Sequence, residues 1–261
     1  MHVLKMFDMS GKVALVTGGA GNYGRQMVEA LAEAGATVWT ASRSLEKNEA
    51  LARQLRERGL DVHAAAYDQC DEKTMQALLD TILETSGRID VLVNNSVLRC
   101  PASAYPTLAE SLNHSFIANA TGVMLMCHIF GDQMAKQGTG SIINIGSYMG
   151  MLGCNDALYE GTQMGSNGPS SYFFHKGGMH NYTRYVASKY GPKGVRCNCL
   201  SLGGLFNNQP EAFVENYSKA TFLGRLAGGE DIKGIIVYLA SDASQYVTGT
   251  VIPVDGGYSA K

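Results

Sequence analysis

The run Lys12-Val13-Ala14-Leu15-Val16-Thr17, followed at once by Gly18-Gly19-Ala20-Gly21-Asn22-Tyr23-Gly24, decides how the chain is read. A short apolar run that ends on glycines reads as a buried strand. The next stretch carries Met27, Leu31 and Ala34 on one helical stripe and stops at Gly35. Strand, glycine turn and helix together form the context of a dinucleotide fingerprint. The glycines let the backbone approach a pyrophosphate, and the helix N-terminus offers free N–H groups and a positive dipole. The other reading of the same residues is an ordinary tight turn between a strand and a helix.

Working outward, the alternation continues. Residues 37–41 read as a second strand, and Ser44 is placed to cap a helix that stops at Gly59. Residues 62–67 form a third strand; Asp71 then caps a helix with Met75, Leu78, Leu79 and Ile82 inward. Residues 89–93 make a fourth strand ending at Asn94-Asn95. Thr107 and Glu110 have the spacing of a capping box, and one long helix is expected over 113–137. Residues 141–145, 194–200 and 250–254 supply strands five to seven. The expectation over 1–261 is one α/β domain: a doubly wound, Rossmann-type parallel sheet of about seven strands with helices on both faces.

Bulk composition excludes several classes. A formal net charge of -2 gives no electrostatic case for nucleic acid or an anionic membrane surface. No apolar window is long enough to span a bilayer, and residues 1–10 lack a signal-peptide core. The 6 cysteines are scattered and read as reduced thiols of a cytoplasmic protein. Cys197 and Cys199 would share one side of a strand as core thiols; metal ligation is the alternative. The histidines have no paired ligand spacing, so no metal is assigned.

The chemistry concentrates in Tyr172-Phe173-Phe174-His175-Lys176. On a helix, residues four apart lie on one face, a turn apart. A lysine ammonium beside a phenol favours the phenolate and pulls its pKa down from about 10. The expectation is a tyrosine able to exchange a proton near neutral pH.

Taken in order, these pieces resemble the short-chain dehydrogenase/reductase family over essentially the whole length. The matching marks are Thr17-Gly18 through Gly24, Asn94-Asn95, Asn119-Ala120-Thr121-Gly122, Ile145-Gly146-Ser147 and Tyr172 with Lys176. Ser241-Asp242, Thr248-Gly249 and Asp255-Gly256-Gly257 also fit. The sequence departs from the family pattern at several points. Asn22 takes the place of the middle glycine of the turn, and asparagine tolerates positive φ. Ser96-Val97 replaces Ala-Gly, Leu202 precedes Gly203 in place of proline, and Asn207 stands for a threonine. Ser147 and Tyr172 are 25 positions apart, where the family usually has about half that. The extra residues fall at roughly 150–170. They read either as a substrate-facing flap, with Asn155, Asp156, Tyr159, Glu160 and Gln163 as contacts, or as a surface or subunit-contact insertion.

The resemblance implies hydride transfer between a nicotinamide and a carbonyl carbon. Tyr172 would be the acid/base, Lys176 its modulator and ribose partner, and Ser147 the group that orients substrate. Asn119 would hold a water behind the lysine. Cofactor contacts would come from Thr17, Gly18, Gly21, Asn22, Tyr23, Gly24, Ser42, Arg43, Asp68, Asn94, Tyr172, Lys176, Gly203, Leu205 and Asn207. Ser42-Arg43 ends strand two without a carboxylate, which favours NADP(H) over NAD(H). Substrate contacts would be Ser147, Tyr159, Glu160 and Tyr172. The polar flap favours a sugar, sugar acid or polyol. The alternative is a 3-oxoacyl thioester or a steroid-like ketone, with Leu152, Leu158, Met164, Leu205 and Phe206 as its apolar lining. A catalytically silent cofactor-binding sensor or scaffold is the reading of another class, but such proteins lack the Tyr or the Lys. The family commonly forms homo-oligomers, so a tetramer or dimer is expected.

Overall fold

A computed structural model describes residues 2–164 and 168–260. The apolar run forms β1 (Val13–Thr17), buried along its whole length because both of its faces are covered. Around it lie β2 (Thr37–Ser42), β3 (Val62–Ala66), β4 (Val91–Asn94), β5 (Gly140–Ser147), β6 (Val195–Leu202) and β7 (Val251–Val254). They join one sheet in the order β3-β2-β1-β4-β5-β6-β7. Every pairing is parallel. The order reverses between β1 and β4, and ligands bind at such a switch point, beyond the carboxyl ends of the strands.

Strand alternation sends Ala14 and Val16 to one face and Val13 and Leu15 to the other. On the first face they meet Met27, Val28 and Leu31 of α1 (Asn22–Glu33) and Leu51 and Leu55 of α2 (Leu45–Arg56). Ile236 and Leu239 of α8 (Lys233–Ala240) complete that layer. The second face packs on α3 (Glu72–Ser86), α5 (Gly122–Gln137) and α6 (Ser170–Tyr190). Cys197 and Cys199 are buried in that apolar layer, and all six cysteines are free thiols. Ser44, Asp71 and Thr107 cap their helices as expected, accepting from the N–H groups of Lys47, Lys73 and Glu110. Gly35 takes positive φ (101°) where α1 hands over to β2.

The expected helix over 113–137 is instead three pieces. α4 (Leu108–Phe116) leads into a π-helical turn (Ile117–Thr121), and α5 follows. Side chains anchor this irregular turn: Gln69 Nε2 donates to the Ala118 carbonyl at 2.7 Å, and Asn119 is bonded to Leu98. A short α7 (Glu211–Ala220) follows β6. Among the described residues no helix is long and apolar enough to cross a membrane.

Candidate active site

The first βα turn lines a cleft of about 490 Å³. Gly18, with φ 65°, turns the chain off β1, and Gly21 precedes α1 without any side-chain cap. A Cβ on Gly24 would stand 2.3 Å from the Gly18 carbonyl, so this cradle closes only over glycine. Asn95 Nδ2 ties it down, donating to the carbonyls of Thr17 (2.9 Å) and Gly18 (3.1 Å). Asn22 is already the first residue of α1, and the described non-glycine residue at positive φ is Asn208. The expectation that Asn22 carries a left-handed conformation is therefore corrected. Gly18 supplies the turn, and Asn22 only opens the helix.

Gly18, Gly21, Asn22, Tyr23, Gly24, Ser42, Arg43 and Asp68 all line the cleft. Thr17 and Asn94 do not. The Thr17 hydroxyl donates to the Val93 carbonyl (3.2 Å) and accepts from the N–H groups of Asn95 and Ser96 (3.0 Å each). Asn94 turns into the core, where its Nδ2 meets Asn144 Oδ1 at 2.9 Å. Its neighbour Asn95 reaches the cleft, because successive side chains of a strand alternate sides. Gly203, Leu205 and Asn207 also stand off this wall. Gly203 accepts from the Tyr23 hydroxyl at 3.2 Å, Leu205 bridges to Ala227, and Asn207 is exposed. Sequence reasoning missed Lys47, Gln69, Ser96 and Arg99 on the cleft wall. Lys47 was accessible to inference, since it lies in the first turn of the helix that follows Arg43. Arg99 belongs to an irregular loop and carries no spacing signal.

The free helix N-terminus, the glycine cradle and two cations at the far end match the diphosphate and ribose ends of a nicotinamide dinucleotide. This donor set fits the cofactor that the fold implies.

Ser147 and Tyr172 meet beside this cleft. Ser147, the last residue of β5, accepts from the Met149 N–H at 3.2 Å, and its hydroxyl is close enough to the Tyr172 phenol to favour the ionised form. Tyr172 lies in the first turn of α6, and Lys176 one turn on. The ammonium sits 5.5 Å from the centroid of the Tyr172 ring and donates to the Ile145 carbonyl at 2.5 Å. The Tyr172 phenol is pushed up from its ordinary pKa, not down. Burial dominates, while the Ser147 hydroxyl and the Arg99 charge pull only partly the other way. The expected acidification by Lys176 is thus absent in the protein alone: Ser147 and Arg99 are the groups that pull the phenol down, and burial outweighs them. Lys176 shares the same fate in the opposite sense: burial lowers its pKa to about 8. Asn119 joins Tyr172 and Lys176 around a small cavity of about 10 Å³.

Residues 155–160 of the insertion are anchored on α7 and the C-terminal turn, while Pro169 accepts from the Tyr172 N–H at 2.8 Å. Leu158 is buried with Phe213 and Tyr217 of α7, and the Tyr159 ring lies 5.5 Å from that of Phe213. Asn155 Nδ2 donates to the Tyr258 hydroxyl at 3.0 Å, and Asn216 Nδ2 donates to the Glu160 carbonyl at 3.0 Å. Asp156 and Glu160 are exposed, and positions 165–167 lie outside the described residues.

A family model described as "Enoyl-(Acyl carrier protein) reductase" matches residues 19–259. The chain belongs to the short-chain dehydrogenase/reductase family. It is an NAD(P)-dependent oxidoreductase of that family, as fold and motifs require. It is 31% identical to the D-threitol dehydrogenase of Mycolicibacterium smegmatis, over 98% of this chain and 95% of the relative. It is 29% identical to the 7alpha-hydroxysteroid dehydrogenase of Bacteroides fragilis, over 97% and 96%. Among solved structures, the gluconate 5-dehydrogenase from Burkholderia cenocepacia, in complex with NADP and tartrate, superposes with a TM-score of 0.86 at 28% identity. That match covers 100% of both chains. Solved family members similar to this chain include both NADP-bound and NAD+-bound forms.

Proposed function

We propose that this enzyme interconverts a secondary alcohol and a ketone, with Tyr172 as acid/base. One observation carries the reading: Tyr172 and Lys176, one turn apart on α6, line a small cavity that shares Ser96 and Val97 with the cleft that would hold the dinucleotide, and the Ser147 hydroxyl is close enough to favour the ionised phenol. The bound nicotinamide supplies or accepts the hydride. Gly18, Gly21 and Gly24 admit its diphosphate, and the N–H groups at the start of α1 bind it. Ser147 orients the substrate oxygen. Burial keeps the Tyr172 phenol protonated at neutral pH, which loads it to donate a proton to a carbonyl oxygen. Lys176 anchors the pair through Ile145, and Asn119 braces the neighbouring loop through both backbone groups of Leu98.

The preferred cofactor is NADP(H). Arg43 and Lys47 both stand at the end of the cleft beyond β2, and no carboxylate occupies Ser42, the last position of that strand. Two cations suit a 2′-phosphate.

The favoured substrate is a sugar, sugar acid or polyol. The D-threitol and gluconate relatives support this, as does the Arg99 cation on the cleft wall. An apolar ketone is the second reading. It rests on the exposed side chains of Met151, Leu152 and Phe206 and on the hydroxysteroid relative. Assays with sugar acids, polyols, hydroxysteroids and 3-oxoacyl thioesters separate them; turnover confined to the last two rules out the favoured class. Exposed Phe116, Ile117, Met124, Phe174 and Tyr185 on α4 to α6 support assembly as a dimer or tetramer, which light scattering measures.

A further inference from the structure

His175 immediately precedes Lys176 and is buried. Its Nε2 lies 3.0 Å from Ser115 Oγ on α4. Asn119 decides the direction of that bond. Asn119 Oδ1 accepts from the Leu98 N–H at 2.8 Å, which fixes the amide orientation. Nδ2 then donates to the Leu98 carbonyl at 2.8 Å and to Ser115 Oγ at 3.2 Å. Ser115 Oγ accepts from Asn119, and among the described residues His175 Nε2 is the acceptor within reach of its own hydrogen. The imidazole proton therefore sits on Nδ1. Burial, with the charge of Lys176, lowers the His175 pKa and keeps the ring neutral.

That Nδ1 is buried and has no partner among the described residues. His175 also lines the small cavity it shares with Tyr172, Lys176 and Asn119. Tyr172, His175 and Lys176 fall on one face of α6. The cavity, about 10 Å³, is close to the least space that holds one water; Val97, Val123 and Met179 make much of its wall apolar, and Tyr172, His175 and Lys176 bring the polar groups such a water needs.

We infer that His175, tethered by Ser115, is a positioning residue whose Nδ1–H holds a water against Lys176 on the proton path to Tyr172. His175 exchanges no proton in this role; it fixes where the water sits. The inference rests on the catalytic reading of Tyr172 and Lys176.

Three variants test it. In His175→Asn the amide nitrogen can stand where Nδ1 stands; in His175→Gln it reaches the place of Nε2; His175→Phe has neither. The expected result is near-normal kcat for His175→Asn and a loss of about tenfold or more for the other two, with KM and cofactor affinity unchanged. A purely structural tether through Ser115 predicts the reverse, with His175→Gln rescued and His175→Asn impaired, and that pattern overturns the inference. Nitrogen-15 spectra of histidine-labelled wild-type protein give a readout that needs no turnover and no variant. A neutral Nδ1–H tautomer at His175 is expected, and an Nε2–H tautomer overturns it. Tyr172→Phe is assayed alongside. If it keeps its rate, the catalytic reading itself has failed; if it is inactive while His175→Phe turns over normally, only the role of His175 is refuted.

Discussion

Lys176 holds its ammonium 5.5 Å from the centroid of the Tyr172 ring and spends a hydrogen bond on the Ile145 carbonyl rather than on the phenol. Both groups are therefore governed by burial. The phenol is raised above its ordinary pKa and the ammonium lowered to about 8. The pair is set in its protonated-phenol form at neutral pH, and the pH behaviour of the enzyme follows.

Reduction needs the phenol protonated, and oxidation needs it as a base. Ketone reduction should hold through neutral pH and fall in the alkaline range. Alcohol oxidation should climb with pH over the same range. Initial rates in both directions between pH 6 and about 10 check this. An oxidation rate already flat at pH 6 would mean that a bound cofactor acidifies Tyr172 far more than the surroundings described here.

The buried ammonium also costs stability. Its folded pKa lies below its unfolded value of 10.5, so the folded state binds fewer protons between about pH 8 and 10.5. Stability from this group is complete above the unfolded pKa and is lost as pH falls through the folded one. Lys176→Met should therefore be more stable than wild type at pH 7, by up to about 3 kcal/mol. The difference should shrink as pH rises towards 10. Urea unfolding of both proteins at the two pH values measures it.

Arg43 and Lys47 flank the end of the cleft beyond β2. Arg43→Ser combined with Lys47→Gln should lower kcat/KM for NADPH by about 10- to 100-fold, the scale of one or two charge-assisted contacts. The value for NADH should change little. Equal losses with both cofactors would show that these cations do not read the 2′-phosphate.

Leu158 is 2% exposed in a satellite cluster that pins the insertion to α7. Leu158→Ala should destabilise by about 2–3 kcal/mol, as a buried leucine truncation does. It should also free the insertion, seen as faster protease cleavage near residues 150–164. Unchanged cleavage would mean that Asn155 and Asn216 hold the insertion without it.

The sheet was legible because buried parallel strands show as apolar runs, and β2 and β3 were each followed by a capped, periodic helix. The break at Ile117–Thr121 was not. It is made by Gln69 and Leu98, far away in sequence, so no local pattern reports it. At the site, spacing put Tyr172 and Lys176 a turn apart on one helix, whereas Ser147 came from the family resemblance. The inward turn of the Asn94 side chain was not legible, since it depends on which side of the strand end each asparagine faces. The direction of the Tyr172 shift was missed for the same kind of reason. A sequence shows which charge is near, but burial decides the sign.

The most direct measurement is turnover and cofactor affinity of Tyr172→Phe. The phenyl ring keeps the packing and removes the proton. The account predicts that kcat falls by about 10²- to 10⁴-fold while the dissociation constant for NADPH stays within a few-fold of wild type. A Tyr172→Phe enzyme that reduces ketones at close to the wild-type rate would contradict it.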